Sequence, residues 1–270
     1  MGQHVLILGG HGKVAQILTR QLLKKSWTVT SVIRAQEQFH QIESLASGQQ
    51  RLNVLVRSLE DIKSVFQAKN ILEEVKPDAV VWSAGAGGKG GLDRFILISY
   101  LACRRKSPSW WDSDAWTYAL EMQSGDLSGY CRAKLAADEV LLQNSSLRSD
   151  FSGISLRPGM LSDEPAGKVE LGKIKTSRGN VSRASVVDTI VSLLENQNVK
   201  SSWLDLLDGD HDVNVSVERI ASTGLDAAEG EGNCLCRDYR ISLLSIDNHT
   251  WSLHENFVAM PVQFTKQVSR

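Results

Sequence analysis

Tyr130 and Lys134 stand four residues apart in the segment YCRAKLAADEVL, and on a helix that spacing puts both on one face. An ammonium beside a phenol favours the phenolate and draws its pKa toward the working range of a general acid or base. The same pair also fits an ordinary helix with a surface tyrosine and lysine, so its meaning depends on what surrounds it. Ser99 closes the apolar run FILIS, and at the carboxyl end of a strand its hydroxyl could orient a substrate oxygen. Near the N-terminus, LGGHGKVA joins an apolar run to an amphipathic one. There Gly9 permits a tight turn, Gly12 lets a pyrophosphate approach the backbone, and the small Ala15 lets the helix pack close to the strand. The spacing is G-x-x-G-x-x-A, and the following helix would offer free N–H groups to the phosphates. A glycine-rich turn without a ligand has the same residues.

Two further segments bear on a cofactor. Arg34 follows VTSVI, where an NAD-binding fold usually carries Asp or Glu to bind ribose hydroxyls, and an arginine there can pair with the extra phosphate of NADP. The first acid downstream is Glu37. NADP is therefore expected, with NAD as the alternative and a solvated strand-end arginine as the plain reading. Lys13 could assist or simply lie at the surface. Ser83-Ala84-Gly85-Ala86-Gly87-Gly88 follows another apolar run, and such small residues let backbone approach a cofactor. A flexible loop has the same composition.

The elements that must position these residues follow from periodicity. Strands are expected at His4–Leu8, Thr28–Ile33, Leu52–Val56, Ala79–Ser83, Phe95–Ser99, Ile154–Leu156 and Ser202–Leu206. Helices are expected at Lys13–Lys25, Gln36–Ala46, Ile62–Val75, Gly125–Leu142, Ala184–Leu194 (capped by Ser182) and Val213–Ser222. Strands alternating with helices, and apolar throughout, predict an α/β fold with a doubly wound parallel sheet.

Composition narrows the class. The chain has 270 residues, with 30 Lys+Arg against 31 Asp+Glu, and lacks the basic surplus that phosphate neutralisation needs, so a nucleic-acid partner is not expected. No run approaches the roughly 18 apolar residues of a membrane helix, and no leader precedes HVLILGG, so a cytoplasmic protein with a small-molecule substrate is expected, as a monomer or weak dimer. Cys103, Cys131, Cys234 and Cys236 form no paired CxxC motifs and are expected as free thiols with no metal site. The six histidines are scattered, each better read as structural or surface than catalytic.

Taken together, the motifs resemble the short-chain dehydrogenase/reductase superfamily, and in particular its atypical NAD(P)-binding branch of NmrA-like and epimerase-type proteins. The likeness runs from about Val5 to Glu231. It rests on GGHGKVA, WSAGAGGKGG, RFILISYLACRR, SPSWW, YCRAKLAADEVL, SLRPGMLSDEPAGKVELGKI and NVSRASVVDTI. The resemblance implies a Rossmann sheet with the loop Gly9, Gly10, His11, Gly12, Lys13 and Val14 at the pyrophosphate, and Arg34 near the adenine ribose. By the same likeness Ala84 and Gly85 line the cofactor. Ser99, Tyr130 and Lys134 match the catalytic positions, Lys134 also holds the ribose, and Arg157-Pro158-Gly159 lies near the nicotinamide. Trp110 and Trp111 fall on the substrate side or serve as packing anchors. The implied activity is an NAD(P)-dependent oxidoreductase acting on a small carbonyl/hydroxyl or sugar-like substrate. The alternatives are a non-catalytic dinucleotide-binding regulator and an inactive truncated relative.

Two departures from the family stand out. Only residues 84–93, five of them glycine, separate Ser83 from Arg94, whereas a parallel crossover takes a dozen or more. The sheet is therefore expected to lack the crossover helix after the fourth strand, to join that strand to the fifth with difficulty, and to lose cover on one face. Residues 232–270 match nothing in the family. They are expected as an unrelated extension of a 1–231 domain, either a hairpin (Arg240–Ile246 with His249–His254) or a disordered tail.

Overall fold

A computed structural model of the chain describes residues 2–48, 50–83, 94–229 and 231. The chain separates into a unit of Met1–Asn233 and a second of Cys234–Arg270. Ala84, Gly85, the crossover expectation at 84–93, Cys234, Cys236 and the hairpin expectation all lie outside the described residues.

The first strands and helices alternate as β1 (His4–Leu8), α1 (Lys13–Lys24), β2 (Thr28–Ile33), α2 (Phe39–Glu43), β3 (Leu52–Val56), α3 (Val65–Val75), β4 (Ala79–Trp82) and β5 (Arg94–Ile98). Then come α4 (Ser113–Ser124), α5 (Ser128–Ser146), β6 (Ser152–Pro158), β7 (Met160–Ser162), β8 (Val169–Gly172), β9 (Asn180–Ser182), α6 (Arg183–Glu195), β10 (Ser202–Asp208) and α7 (Val213–Thr223). Eight strands form one sheet in the order β3-β2-β1-β4-β5-β6-β10-β8, and β7 pairs with β9 apart from it. Every neighbour in the large sheet is parallel except the edge pair β10–β8. The order reverses between β1 and β4, the crevice where ligands of open α/β sheets bind.

Alternate residues of each strand feed opposite layers. Val5 and Ile7 of β1 pack with Leu18 and Leu22 of α1 and Ile190 and Leu194 of α6. Leu6 and Leu8 face the other way, with Ile71 of α3 and Ala137 and Leu141 of α5. Double cover is why the strands carry no polar alternation. A third cluster lies beyond the end of β5 and joins Tyr100, Leu101, Trp111, Ala115, Cys131 and Trp203.

Several expectations are corrected. The helix expected over Gln36–Ala46 is broken into two 3-10 turns flanking α2. α3 starts three residues later than expected, because Ser64 and Gln67 form a reciprocal capping box ahead of Val65. α4 was not foreseen. Asp112 caps it by accepting from the Ala115 N–H at 2.8 Å. Despite the short link, β4 and β5 pair side by side and parallel, from Ala79 opposite Arg94 to Trp82 opposite Leu97. Nor is that face bared there: Val80, Trp82, Phe95 and Leu97 are buried, with the Trp82 and Phe95 rings stacked. Among the described residues no helix is long and apolar enough to cross a membrane.

Candidate active site

β1 ends at Leu8 and the chain turns through Gly9, whose φ of +86° lies in the left-handed region that glycine occupies without strain. The Gly12 N–H donates to Gly9 O at 3.0 Å and the Gly10 N–H to Val32 O at 2.8 Å, which pins the turn against β2. A Cβ on Gly10 would run into Ser31 Oγ. That hydroxyl is itself buried with no hydrogen-bond partner. Gly12 stands at the cap position of α1, and no side chain caps the helix. The first N–H groups of α1 are thus left to an outside acceptor, and the helix dipole favours an anion there. Val14 is buried beneath, while the His11 ring bonds Gln41 Oε1 at 3.0 Å. Lys13 Nζ pairs with Asp163 at 3.2 Å, and Asp163 also meets Arg183 at 2.7 Å. Arg34 is exposed at the end of β2, and among the described residues only its backbone N–H is engaged, by Gln38 at 3.3 Å. A glycine cradle, an uncapped helix start and an exposed strand-end arginine fit a phosphorylated dinucleotide.

Of the residues expected to be catalytic, Ser99 follows β5 and Lys134 reaches its carboxyl end. Tyr130 and Lys134 share a face of α5, with Lys134 Nζ 5.5 Å from the Tyr130 ring centre. Tyr130 is 46% exposed. Lys134 is anchored inward, where its Nζ donates to Ile98 O at 2.7 Å. Burial pushes the Tyr130 phenol above its usual value, the Asp138 carboxylate pushes it the same way, and no lowering by Lys134 opposes them. Burial pulls the Lys134 ammonium down, against Asp138. Ser99 is buried, and its hydroxyl donates to Asp138 Oδ2 at 2.7 Å. The structure therefore brings Tyr130 and Lys134 together and turns Ser99 into the protein.

Asp138 was missed in the sequence, although its place four residues after Lys134 puts it on the same helix face. Its Oδ1 accepts from Ser155 at 2.5 Å, and Oδ2 also takes Arg157 Nη1. Burial raises its carboxyl, while Arg157 and the two serines draw it back toward the charged form. Arg157 is fully buried. Its Nε donates to Asp205 at 3.3 Å and its Nη2 to Cys103 O at 2.7 Å. Every nitrogen of Arg157 is engaged by the protein, so the side chain faces the core and not the crevice. Arg104 extends the network through Asp205 at 2.7 Å and Glu231 at 3.8 Å. Trp111 donates to Ile174 O at 2.9 Å, while Trp110 stacks beneath Lys173 at 4.8 Å, so both tryptophans act as packing anchors.

Cys103 and Cys131 are not free thiols as expected. They form a disulfide with Cα atoms 5.1 Å apart. They lie 28 residues apart in sequence, beyond any motif spacing, and meet because α5 returns across the end of β5. One half of the bridge is the residue after Tyr130.

The dinucleotide cradle has a counterpart in comparisons with known proteins. The profile of the NAD(P)H-binding family matches residues 9–197, and the chain belongs to that family. It is 30% identical to UPF0659 protein C216.03 of Schizosaccharomyces pombe over 76% of this chain and 89% of that one. It is 25% identical to YhfK of Bacillus subtilis, named an uncharacterized sugar epimerase, over 80% of this chain and 99% of that one. Among solved structures, ChuY of Escherichia coli O157:H7, titled an anaerobilin reductase, aligns with a TM-score of 0.59 at 21% identity, over 77% of this chain and 98% of that one. The likeness to ChuY is one of fold.

Proposed function

We propose that the chain is an NADP-dependent oxidoreductase of the short-chain dehydrogenase type, reducing or oxidising a small carbonyl/hydroxyl or sugar-like substrate. One observation carries the reading: a half-exposed Tyr130 phenol beside Lys134, at the same sheet end as the uncapped start of α1. Gly9–Val14 would hold the pyrophosphate through backbone N–H groups, and Arg34 would pair with the ribose phosphate. The bound dinucleotide supplies or accepts the hydride. Tyr130 gives its phenol proton to the substrate oxygen in reduction and takes it back in oxidation. Lys134 holds α5 to the end of β5 through Ile98 O and places a cation beside the ring. Ser99 acts through Asp138 as a positioning residue, fixing the helix that carries both.

Steady-state turnover of a carbonyl panel with NADPH tests this reading. Turnover that Tyr130→Phe abolishes is expected, and turnover unchanged by Tyr130→Phe removes the assigned role. A second reading, a dinucleotide-binding regulator, is favoured by the inward-turned Ser99 and the raised Tyr130 phenol. Calorimetry separates the two, since a regulator binds NADPH tightly without turnover.

A further inference from the structure

The wall beside Tyr130 carries aromatic rings, a thioether and the guanidinium of Arg178. Tyr100 directly follows Ser99 and is buried behind this face. Its ring centre lies 6.2 Å from that of Tyr130, tilted by 58°. The Tyr100 hydroxyl donates to Met160 Sδ at 3.7 Å. Burial raises the Tyr100 phenol, so it stays neutral. Met160 is 49% exposed, a large apolar side chain presented to solvent over the Tyr100 hydroxyl. The Arg178 guanidinium caps the far side, 4.5 Å from the Tyr118 ring centre. Arg178 is exposed and forms no ion pair with any described residue.

The loop carrying this arginine is firmly placed. Ser177 Oγ donates to Ala115 O at 2.5 Å, the Arg178 N–H to Thr176 Oγ1 at 3.0 Å, and the Met160 N–H to Gly179 O at 2.9 Å. A cation over an aromatic ring, with no carboxylate among the described residues to neutralise it, recognises a planar anion by charge and stacking together. Met160 adapts its shape to such a ring and adds a favourable sulfur–aromatic contact.

We propose that this wall selects an aromatic aldehyde or ketone bearing an anionic group, its ring against Tyr118 and Met160 and its anion on Arg178. This rests on the oxidoreductase reading above. In the reduction, the carbonyl carbon takes a hydride from the reduced dinucleotide, which is oxidised. The carbonyl oxygen takes the Tyr130 proton, the alcohol forms, and water reprotonates the phenolate. The anionic group is unchanged.

The test compares 6-formyl-2-naphthoate, 2-naphthaldehyde and glyoxylate as substrates with NADPH, for the wild-type chain, Arg178→Gln and Arg178→Lys. Binding of the unreactive naphthalene-2-carboxylate to the NADP-saturated protein is followed by calorimetry in parallel. The expected result is a kcat/KM for 6-formyl-2-naphthoate at least about tenfold above either partial probe. Arg178→Gln should lower that value by roughly 10- to 100-fold, lower the 2-naphthaldehyde value far less, and weaken naphthoate binding in step. Arg178→Lys should restore part of the loss. Glyoxylate turned over as well as the naphthoate aldehyde, or naphthoate binding indifferent to Arg178→Gln, overturns the proposal. Arg178-dependent binding without turnover retires the oxidoreductase reading and keeps the anion-recognising wall. Turnover independent of Arg178 does the reverse.

Discussion

Ser99 donates its hydroxyl to the fully buried Asp138 across 2.7 Å, and so ties the end of β5 to the helix bearing Tyr130 and Lys134. Ser155 and Arg157 meet the same carboxylate. A buried charge held this way is costly to disturb, since removing one donor leaves the carboxylate short of a partner. Ser99→Ala is expected to lower stability by about 2 kcal/mol, roughly 4–8 °C in Tm for a domain of this size, with NADPH affinity unchanged. Thermal denaturation beside calorimetry checks it. A variant of native stability that loses turnover as completely as Tyr130→Phe would place Ser99 on the substrate instead.

The direction of the Tyr130 shift fixes a pH profile. A phenol pushed above 10.0 by burial and by Asp138 keeps its proton throughout the neutral range. Acting as proton donor, it is fully competent below that value and is lost as pH rises through it. Carbonyl reduction is therefore expected to be level from about pH 6 to pH 9 and to fall only in more alkaline buffer. Oxidation in the reverse direction should rise over the same alkaline range. A limb near neutrality that disappears in Tyr130→Phe would mean that the bound cofactor acidifies the phenol.

The fold was readable wherever local pattern and tertiary demand agree. β1, α1 and the glycine turn between them follow from a buried apolar run, a one-face helix period and residues that only a tight turn requires. α4 escaped because its buried residues, Ala115 and Ala119, are small and leave no strong apolar stripe at helical spacing. The candidate site was legible as residue types and less so as directions. Tyr130 and Lys134 share a face by helix geometry alone. Which way Ser99 and Arg157 point depends on Asp138 and Asp205, and Asp205 arrives on β10, 48 residues beyond Arg157. A buried acid in an apolar strand such as SWLDLLD is the signal that could have announced a buried basic partner.

The proposed preference for NADP over NAD rests on Arg34. It is exposed at the end of β2 beside the glycine turn, and its guanidinium has no partner among the described residues. A charge-assisted contact to the ribose phosphate contributes on the order of 1.5–3 kcal/mol. Arg34→Ser is thus expected to weaken NADPH binding roughly 10- to 100-fold while leaving NADH nearly unchanged. Titrating the intrinsic tryptophan fluorescence with each cofactor measures the ratio. Equal losses for both would assign Arg34 to the turn's structure and not to the phosphate.

The Cys103–Cys131 bridge closes a loop spanning 28 residues, from the exit of β5 to the first turn of α5. In the chain-entropy account, a cross-link of that span restricts the unfolded ensemble enough to stabilise the fold by about 3–4 kcal/mol. Cys131→Ser is expected to lower Tm by roughly 6–16 °C under oxidising conditions. A reductant should lower the wild-type Tm toward that of the variant and leave the variant itself unmoved. The bridge also ties down the residue next to Tyr130, so its loss should reach turnover by loosening the phenol's position, raising KM more than it changes NADPH affinity. Thiol counting on the denatured, unreduced protein provides the direct check. If Cys103 and Cys131 both react with the thiol reagent before reduction, the pair is reduced in solution, and the reductant will leave the wild-type Tm where it was.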